Sequence, residues 1–254
     1  MTIHEKAAVG FDRAGDSYER GRPEYPQDAI DFLVKTLQIE PTSTVVDLGA
    51  GTGKFTKLLT QSKATVIAVE PVEGMRKKFQ SLYPGIKILS GTAEDIPMED
   101  NSVDAVIAAQ AFHWFNGPAA VREIHRVLKP NGKIGLIWNA RDESLAWVAE
   151  LTKIIDPHEG GAPRYKTMNW KNAFDETNLF SRLQLQHFSY NQVGTVATVV
   201  DRIGSISFIS ALSEVDKQKV LTQVRNLVQT HPDTKSRSEV KLPYRTDIYW
   251  CEKI

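Results

Sequence analysis

The sequence predicts an α/β fold built on a doubly wound, mostly parallel sheet. Three observations carry this. Short apolar runs at 44–48, 65–70, 87–90, 103–109 and 133–138 alternate with segments of helical spacing. The runs lack strict apolar–polar alternation, which fits strands covered on both faces. One helix between successive strands is the mark of βαβ units.

The elements follow in order. Pro26 can open a helix whose stripe is Ile30, Leu33, Val34 and Leu37, and Pro41 follows its end. The stretch before it, 11–26, is rich in Tyr, Arg, Gly and Pro and reads as an ordered arm or lid. Helical spacing recurs at Phe55, Leu58 and Leu59, at Met75, Phe79 and Leu82, and at Val121, Ile124, Val127 and Leu128. Beyond Asn139 the rhythm changes. A helix is expected over 145–155. Leu183, Leu185 and His187 alternate with polar residues, so 182–190 reads as a strand. One or two helices fit 196–212, another fits 215–228, and 244–250 reads as a final strand. No linker marks a second domain. The expectation is a single domain over 1–254, with an arm and helix at 1–43, a core at 44–140 and further strands and helices at 141–254.

Lys+Arg and Asp+Glu are both 31 in 254 residues, so the formal charge is zero. This speaks against bulk electrostatic binding to nucleic acid or to an anionic membrane. A hydrophobic fraction of 41% is ordinary for a globular chain of this length. Cys251 is the single cysteine, which rules out a disulfide within the chain and a multi-cysteine zinc site. The first ten residues do not read as a secretory signal, and no run approaches the ~18 apolar residues of a membrane helix. A cytoplasmic protein with no nucleic-acid or membrane partner is expected.

The chemistry concentrates in Asp47-Leu48-Gly49-Ala50-Gly51-Thr52-Gly53, between the first strand and the next helix. Glycines there let a ligand approach backbone where a Cβ would collide. In an open parallel sheet ligands bind at the carboxyl ends of the strands. The spacing is G-x-G-x-G, not the dinucleotide G-x-G-x-x-G, and Lys54 is followed by Phe55, not by the Ser or Thr of a P-loop. A carboxylate at Asp47 would oppose a pyrophosphate at the helix N-terminus. It suits a ligand with an ammonium and a sulfonium, such as S-adenosyl-L-methionine. Glu70, at the end of the second strand, is placed to accept the ribose hydroxyls of an adenosine.

The segments Val45–Gly53, Val69-Glu70-Pro71, Gly91–Pro97, Val103–Gln110 and Ile124–Gly132 resemble the motifs of class I S-adenosylmethionine-dependent methyltransferases. The resemblance covers 44–139. It implies a Rossmann-like methyltransferase fold of seven strands with the last antiparallel, and a helical cap from roughly 195–228 over the substrate side. It also implies that Asp47, Gly49, Gly51, Gly53, Glu70, Pro71 and Met75 hold the cofactor. Thr92, Ala93 and Glu94 would lie at the adenine and Gln110 after the fourth strand, while Tyr18 would close over the methionine end. Thr92 stands where relatives often carry Asp, so it accepts through a hydroxyl without charge. Gln110–Phe115 and Tyr18–Pro26 resemble the trans-aconitate methyltransferase-like group, which acts on small molecules.

Methyl transfer is an in-line displacement that needs a well-placed nucleophile and a dry site. His113 follows the fourth strand and reads either as a general base or as a packed ring between Phe112 and Trp114. Arg22 and Arg141 read either as carboxylate clamps or as surface arginines. His125 and Arg126 read as structural. Arsenic methylation would need several thiols. Amino methylation of nucleic acid would show an Asn/Asp-Pro-Pro-aromatic segment where Ala109–Phe112 stands. Methyl transfer to a small-molecule acceptor, such as a carboxylate oxygen, is expected. The alternatives are carbon methylation of a quinone-like ring and a non-catalytic S-adenosylmethionine-binding protein.

Overall fold

The computed structural model describes residues 22–161 and 163–254. They form two compact units. The first comprises 25–138, 163–188 and 246–254, and the second comprises 22–24, 139–161 and 189–245 among the described residues.

In chain order the elements are α1 (Gln27–Thr36), β1 (Thr44–Leu48), α2 (Thr56–Leu59), β2 (Thr65–Val69), α3 (Glu73–Leu82), β3 (Lys87–Leu89), β4 (Val103–Ala109), α4 (Gly117–Val127) and β5 (Leu128–Arg141). There follow α5 (Ala146–Ile155), α6 (Asn172–Asp175), β6 (Gln184–Gly194), α7 (Val196–Gly204), α8 (Ser207–Ser210), α9 (Glu214–Thr230) and β7 (Val240–Glu252). The strand order is β3-β2-β1-β4-β5-β7-β6. The first five strands pair in parallel, with Asp47 beside Ala68 on one side and Ile107 on the other. Lys253 N–H bonds to Gly132 O and Asp142 N–H to Pro243 O, so β7 runs antiparallel to β5. This is the seven-stranded, Rossmann-like arrangement that the motifs implied.

Two apolar clusters lie on opposite faces of the first unit's sheet, because successive side chains of a strand alternate. Val46, Leu48, Val106, Ala108, Leu136 and Trp138 face α4, whose Ala120, Val121, Ile124 and Val127 are buried against them. Val45, Ala105, Ile107 and Ile137 face α1 and α2, through Ala29, Ile30, Leu33 and Leu59. The second unit has its own cluster of Trp147, Val148 and Leu151 with Val199, Ile203, Val220, Val224 and Tyr244.

The strands β5, β6 and β7 are longer than the apolar runs that announced them. Leu128 pairs with Val103 and Lys133 with Ala105, so a bulge takes the Pro130–Gly132 turn into β5. The β6 side chains alternate between half-buried and exposed over 188–194, as an edge strand allows. The 196–212 segment divides into α7 and α8. Among the described residues no helix is long and apolar enough to cross a membrane.

Candidate active site

The loop after β1 is held by its own backbone. Gly49, Gly51 and Gly53 have φ of +73°, +58° and +89°, a region that disfavours any Cβ. At Gly49 a Cβ would come 2.8 Å from that of Ala111, and at Gly53 2.7 Å from the Phe79 ring. A Cβ at Gly51 would meet no described atom within 4 Å, so that side of the loop is open. The N–H groups of Gly49 and Ala50 bond to Val69 O at 2.8 and 3.2 Å, tying the loop to the end of β2.

Glu70 continues that tie. Its Oε2 accepts the Gly51 N–H and its Oε1 the Val72 N–H, each at 2.9 Å. Arg76 Nη1 donates to the carbonyls of Glu70 and Pro71 at 2.9 and 2.6 Å. Burial pushes the Glu70 pKa up, opposed by the two amides and the Arg76 charge. A carboxylate oxygen has two lone pairs, so each retains one acceptor position.

Asp47 is fully buried. Its Oδ2 accepts the Thr56 hydroxyl, while Oδ1 has no hydrogen-bond partner. Burial is the chief cause that pushes its pKa up to about 7, with Glu70 adding to the rise. A cation brought against the carboxyl would favour its charged form and lower that value. An orphaned buried acceptor is costly unless a donor or cation meets it. That orphan, the open backbone at Gly51 and the spare lone pairs of Glu70 fit a cationic ligand with hydroxyls.

The remaining expected cofactor residues are less open. Met75 and Ala93 are buried. Thr92 and Asp95 bond to each other through their backbones. Glu94 Oε1 accepts the Asn116 N–H at 2.7 Å, so one of its oxygens holds the start of α4. Gln110 has φ +58° and donates its N–H to Ile137 O, turning the chain out of β4. Tyr18 lies outside the described residues.

His113 sits half-buried on a single 3-10 turn, Phe112–Trp114, whose neighbours Ala111 and Phe115 lie against Gly49. Trp138 Nε1–H donates to His113 Nδ1 at 3.1 Å. An indole N–H only donates, so Nδ1 is the acceptor and the neutral ring carries its proton on Nε2. Held so, the ring's remaining nitrogen is a donor and not a lone pair in the neutral form. Of the two readings of His113, general base and packed ring, this contact accords with the packed ring. Tyr165 stacks on Trp138 at 4.7 Å and Trp170 packs against it at 4.6 Å, which fixes the indole. Tyr165 in turn donates to the buried Asp247.

Arg126 is structural, as expected. It binds Glu123, Asp100 and the carbonyls of Ile96 and Met98. Cys251 is buried and its thiol is pushed up to about 12 by that burial. Arg22 belongs to the second unit, where Nη2 donates to Ser205 O at 3.2 Å. Sequence reasoning missed Thr56 and Trp138. Thr56, the first residue of α2, is a polar side chain close to the glycines that could have flagged it. Trp138, at the end of an apolar run, gave no signal beyond core packing.

Comparison with known proteins yields consistent likenesses. The family pattern described as a methyltransferase domain matches residues 46–136. A methyltransferase-like protein of Schizosaccharomyces pombe is 37% identical over 237 residues, covering 93% of this chain and 92% of its own length. A Mycobacterium tuberculosis methyltransferase is 38% identical over 242 residues, covering 94% and 93%. Among solved structures, the YcgJ protein of Bacillus subtilis superposes with a TM-score of 0.60 at 20% identity, over 90% of this chain and 99% of that one.

Proposed function

This chain belongs to the S-adenosyl-L-methionine-dependent methyltransferase family, and from that premise we propose that it methylates an oxygen of a small carboxylic acid. When bound, the cofactor would supply an activated, electrophilic methyl group for in-line displacement. Asp47 Oδ1, the Gly51 backbone and the Glu70 carboxylate are the groups of this chain that would hold it. Asp47 would meet its positive charge and Glu70 its ribose hydroxyls.

The observation that carries the acceptor class is the Trp138–His113 hydrogen bond. Ammonium groups, phenols and carbon acids must lose a proton to attack, and His113 does not offer the lone pair to take it. A carboxylic acid, with a pKa of about 4, is already ionised at neutral pH and moves no proton. This reading agrees with the resemblance of Gln110–Phe115 to the trans-aconitate methyltransferase-like group.

The test is transfer of labelled methyl from the cofactor to a panel of carboxylic acids, amines and phenols. Carboxyl methyl esters release methanol in mild base, whereas N-methyl, aryl ether and ring C-methyl products do not. Base-labile label on acids alone supports the reading. Base-stable label on an amine, phenol or ring overturns it.

A further inference from the structure

The first unit buries a carboxyl group among aromatic rings. Asp247, in β7, is fully buried. Tyr249 and Cys251 follow it on the same face of that strand, and both are buried in the cluster around Trp138. The two oxygens of Asp247 have separate partners. Oδ1 meets Nδ1 of His187, a half-exposed ring on the neighbouring strand β6. Oδ2 accepts the hydroxyl of Tyr165. The His187 contact ties β6 to β7. The Tyr165 contact ties no strand, because Tyr165 belongs to a single 3-10 turn, Tyr165–Thr167.

Packing alone does not account for an acid here. An apolar side chain would fill that core without giving up hydration. What the carboxyl adds is direction. One 3-10 turn does not fix a ring, and the Tyr165 ring is placed by its hydroxyl, bonded to Asp247 and 3.1 Å from that of Tyr249. Burial and these contacts hold the phenol well above its ordinary pKa, so it stays a donor. Placed so, the ring stacks on Trp138 with centroids 4.7 Å apart and planes within 20°. Trp138 donates in turn to His113 at 3.1 Å. The turn that carries His113 is flanked by Ala111 and Phe115, which lie against Gly49. Every member of this series belongs to the first unit.

We propose that Asp247 is a positioning residue: through Tyr165 and Trp138 it holds the His113 turn against the glycine loop that follows β1. The carboxyl fixes the Tyr165 ring, the ring fixes the indole, and the indole N–H fixes the His113 tautomer and the turn with it. In this role Asp247 enters no chemical step, and its effect reaches the cofactor only through the loop.

The experiment reads nitrogen-15 spectra of the His113 ring and calorimetric affinity for S-adenosylhomocysteine. Asp247→Ala should turn the single Nε2–H tautomer of wild type into a mixture. It should also weaken the affinity about fivefold, the scale of one neutral hydrogen bond. Asp247→Asn keeps an oxygen for the Tyr165 hydroxyl and should recover most of both. Tyr165→Phe keeps the ring without its anchor and should match Asp247→Ala. Cys251→Ala opens a cavity on the same face of β7, so it should lower the melting temperature and leave the spectrum as in wild type. The double variant Asp247→Ala/Trp138→Phe should bind no more weakly than Trp138→Phe, because both changes break one series. Should Asp247→Ala fail to fold, Tyr165→Phe and its double variant with Trp138→Phe decide. A single tautomer in the folded Asp247 and Tyr165 variants overturns the proposal. So does a mixture in Cys251→Ala, or a double variant whose loss is the product of the two single losses. Both readouts use the cofactor product alone and do not depend on the acceptor. Base-stable label in the panel above discards the carboxyl acceptor and leaves the role of Asp247 standing, and an unmoved spectrum with base-labile label on acids does the reverse.

Discussion

Glu70 Oε2 accepts the backbone N–H of Gly51 at 2.9 Å, joining the acid that follows β2 to the open middle of the glycine loop. The acid thus shapes the loop as well as presenting oxygens to a ligand. Glu70→Ala would orphan the amides of Gly51 and Val72 and remove the acceptors together. Affinity for S-adenosylhomocysteine is expected to fall by about tenfold or more, since hydrogen bonds to charged groups contribute ~1.5–3 kcal/mol each. Calorimetry measures it, and an unchanged Kd would mean the acid does not touch the ligand.

Asp47 makes stability depend on pH with a definite sign. Its folded pKa, about 7, lies above the ordinary value of 3.8 that it takes in the unfolded chain. Between those values the folded chain keeps a proton that the unfolded chain has lost. Stability from this group is therefore present at pH 4, declines as pH rises, and is fully lost above pH 7. Each pH unit in the window costs up to ~1.4 kcal/mol. Asp47→Asn does not titrate, so its melting temperature should gain on that of wild type from pH 4 to pH 8. The same variant should lose cofactor affinity, having no charge to offer. A difference in melting temperature that stays flat with pH would show that the carboxyl does not titrate in this range.

Two glycines should separate packing from binding. Gly49→Ala combines φ +73° with a 2.8 Å approach to the Ala111 Cβ, whereas Gly51→Ala has φ +58° and open space. Strained left-handed backbone costs ~1–2 kcal/mol, and the clash at Gly49 adds to it. Thermal melts should show a larger loss for Gly49→Ala. Binding measured at a temperature where both variants are folded should show that Gly51→Ala impairs cofactor affinity beyond its modest loss of stability.

Trp138→Phe tests the histidine. It keeps an aromatic ring for Tyr165 to stack on and removes only the N–H that reaches His113. Nitrogen-15 spectra should show one Nε2–H tautomer in wild type and a mixture in the variant. A loss of about fivefold in kcat/KM is expected, the scale of one neutral hydrogen bond of ~1 kcal/mol. A wild-type spectrum with the proton on Nδ1 would remove the argument for a carboxylate acceptor.

Much of the first unit was legible in advance because its signals are local. The run Thr44–Leu48, the glycines and the acid at Glu70 lie within a short stretch of chain, and period and turn chemistry suffice to order them. The late strands were harder. Val240–Glu252 and Gln184–Gly194 owe their lengths to pairing with each other and with Leu128–Arg141, which no local pattern encodes. Asp247 passed unnoticed because one acid in the last strand reads as an exposed position until its burial is known.

By itself the sequence determined the order of strands and helices, the loop that bends at three glycines and the pair of acids that suits a cationic nucleoside, since these depend on residues close together in the chain. Only the tertiary structure decided that Asp47 titrates near neutrality, that His113 carries its proton on Nε2 and that Asp247 is a buried acid bonded to Tyr165 and His187. Charge and protonation state depend on desolvation and on partners such as Thr56, Trp138 and Tyr165, and folding alone brings those into contact.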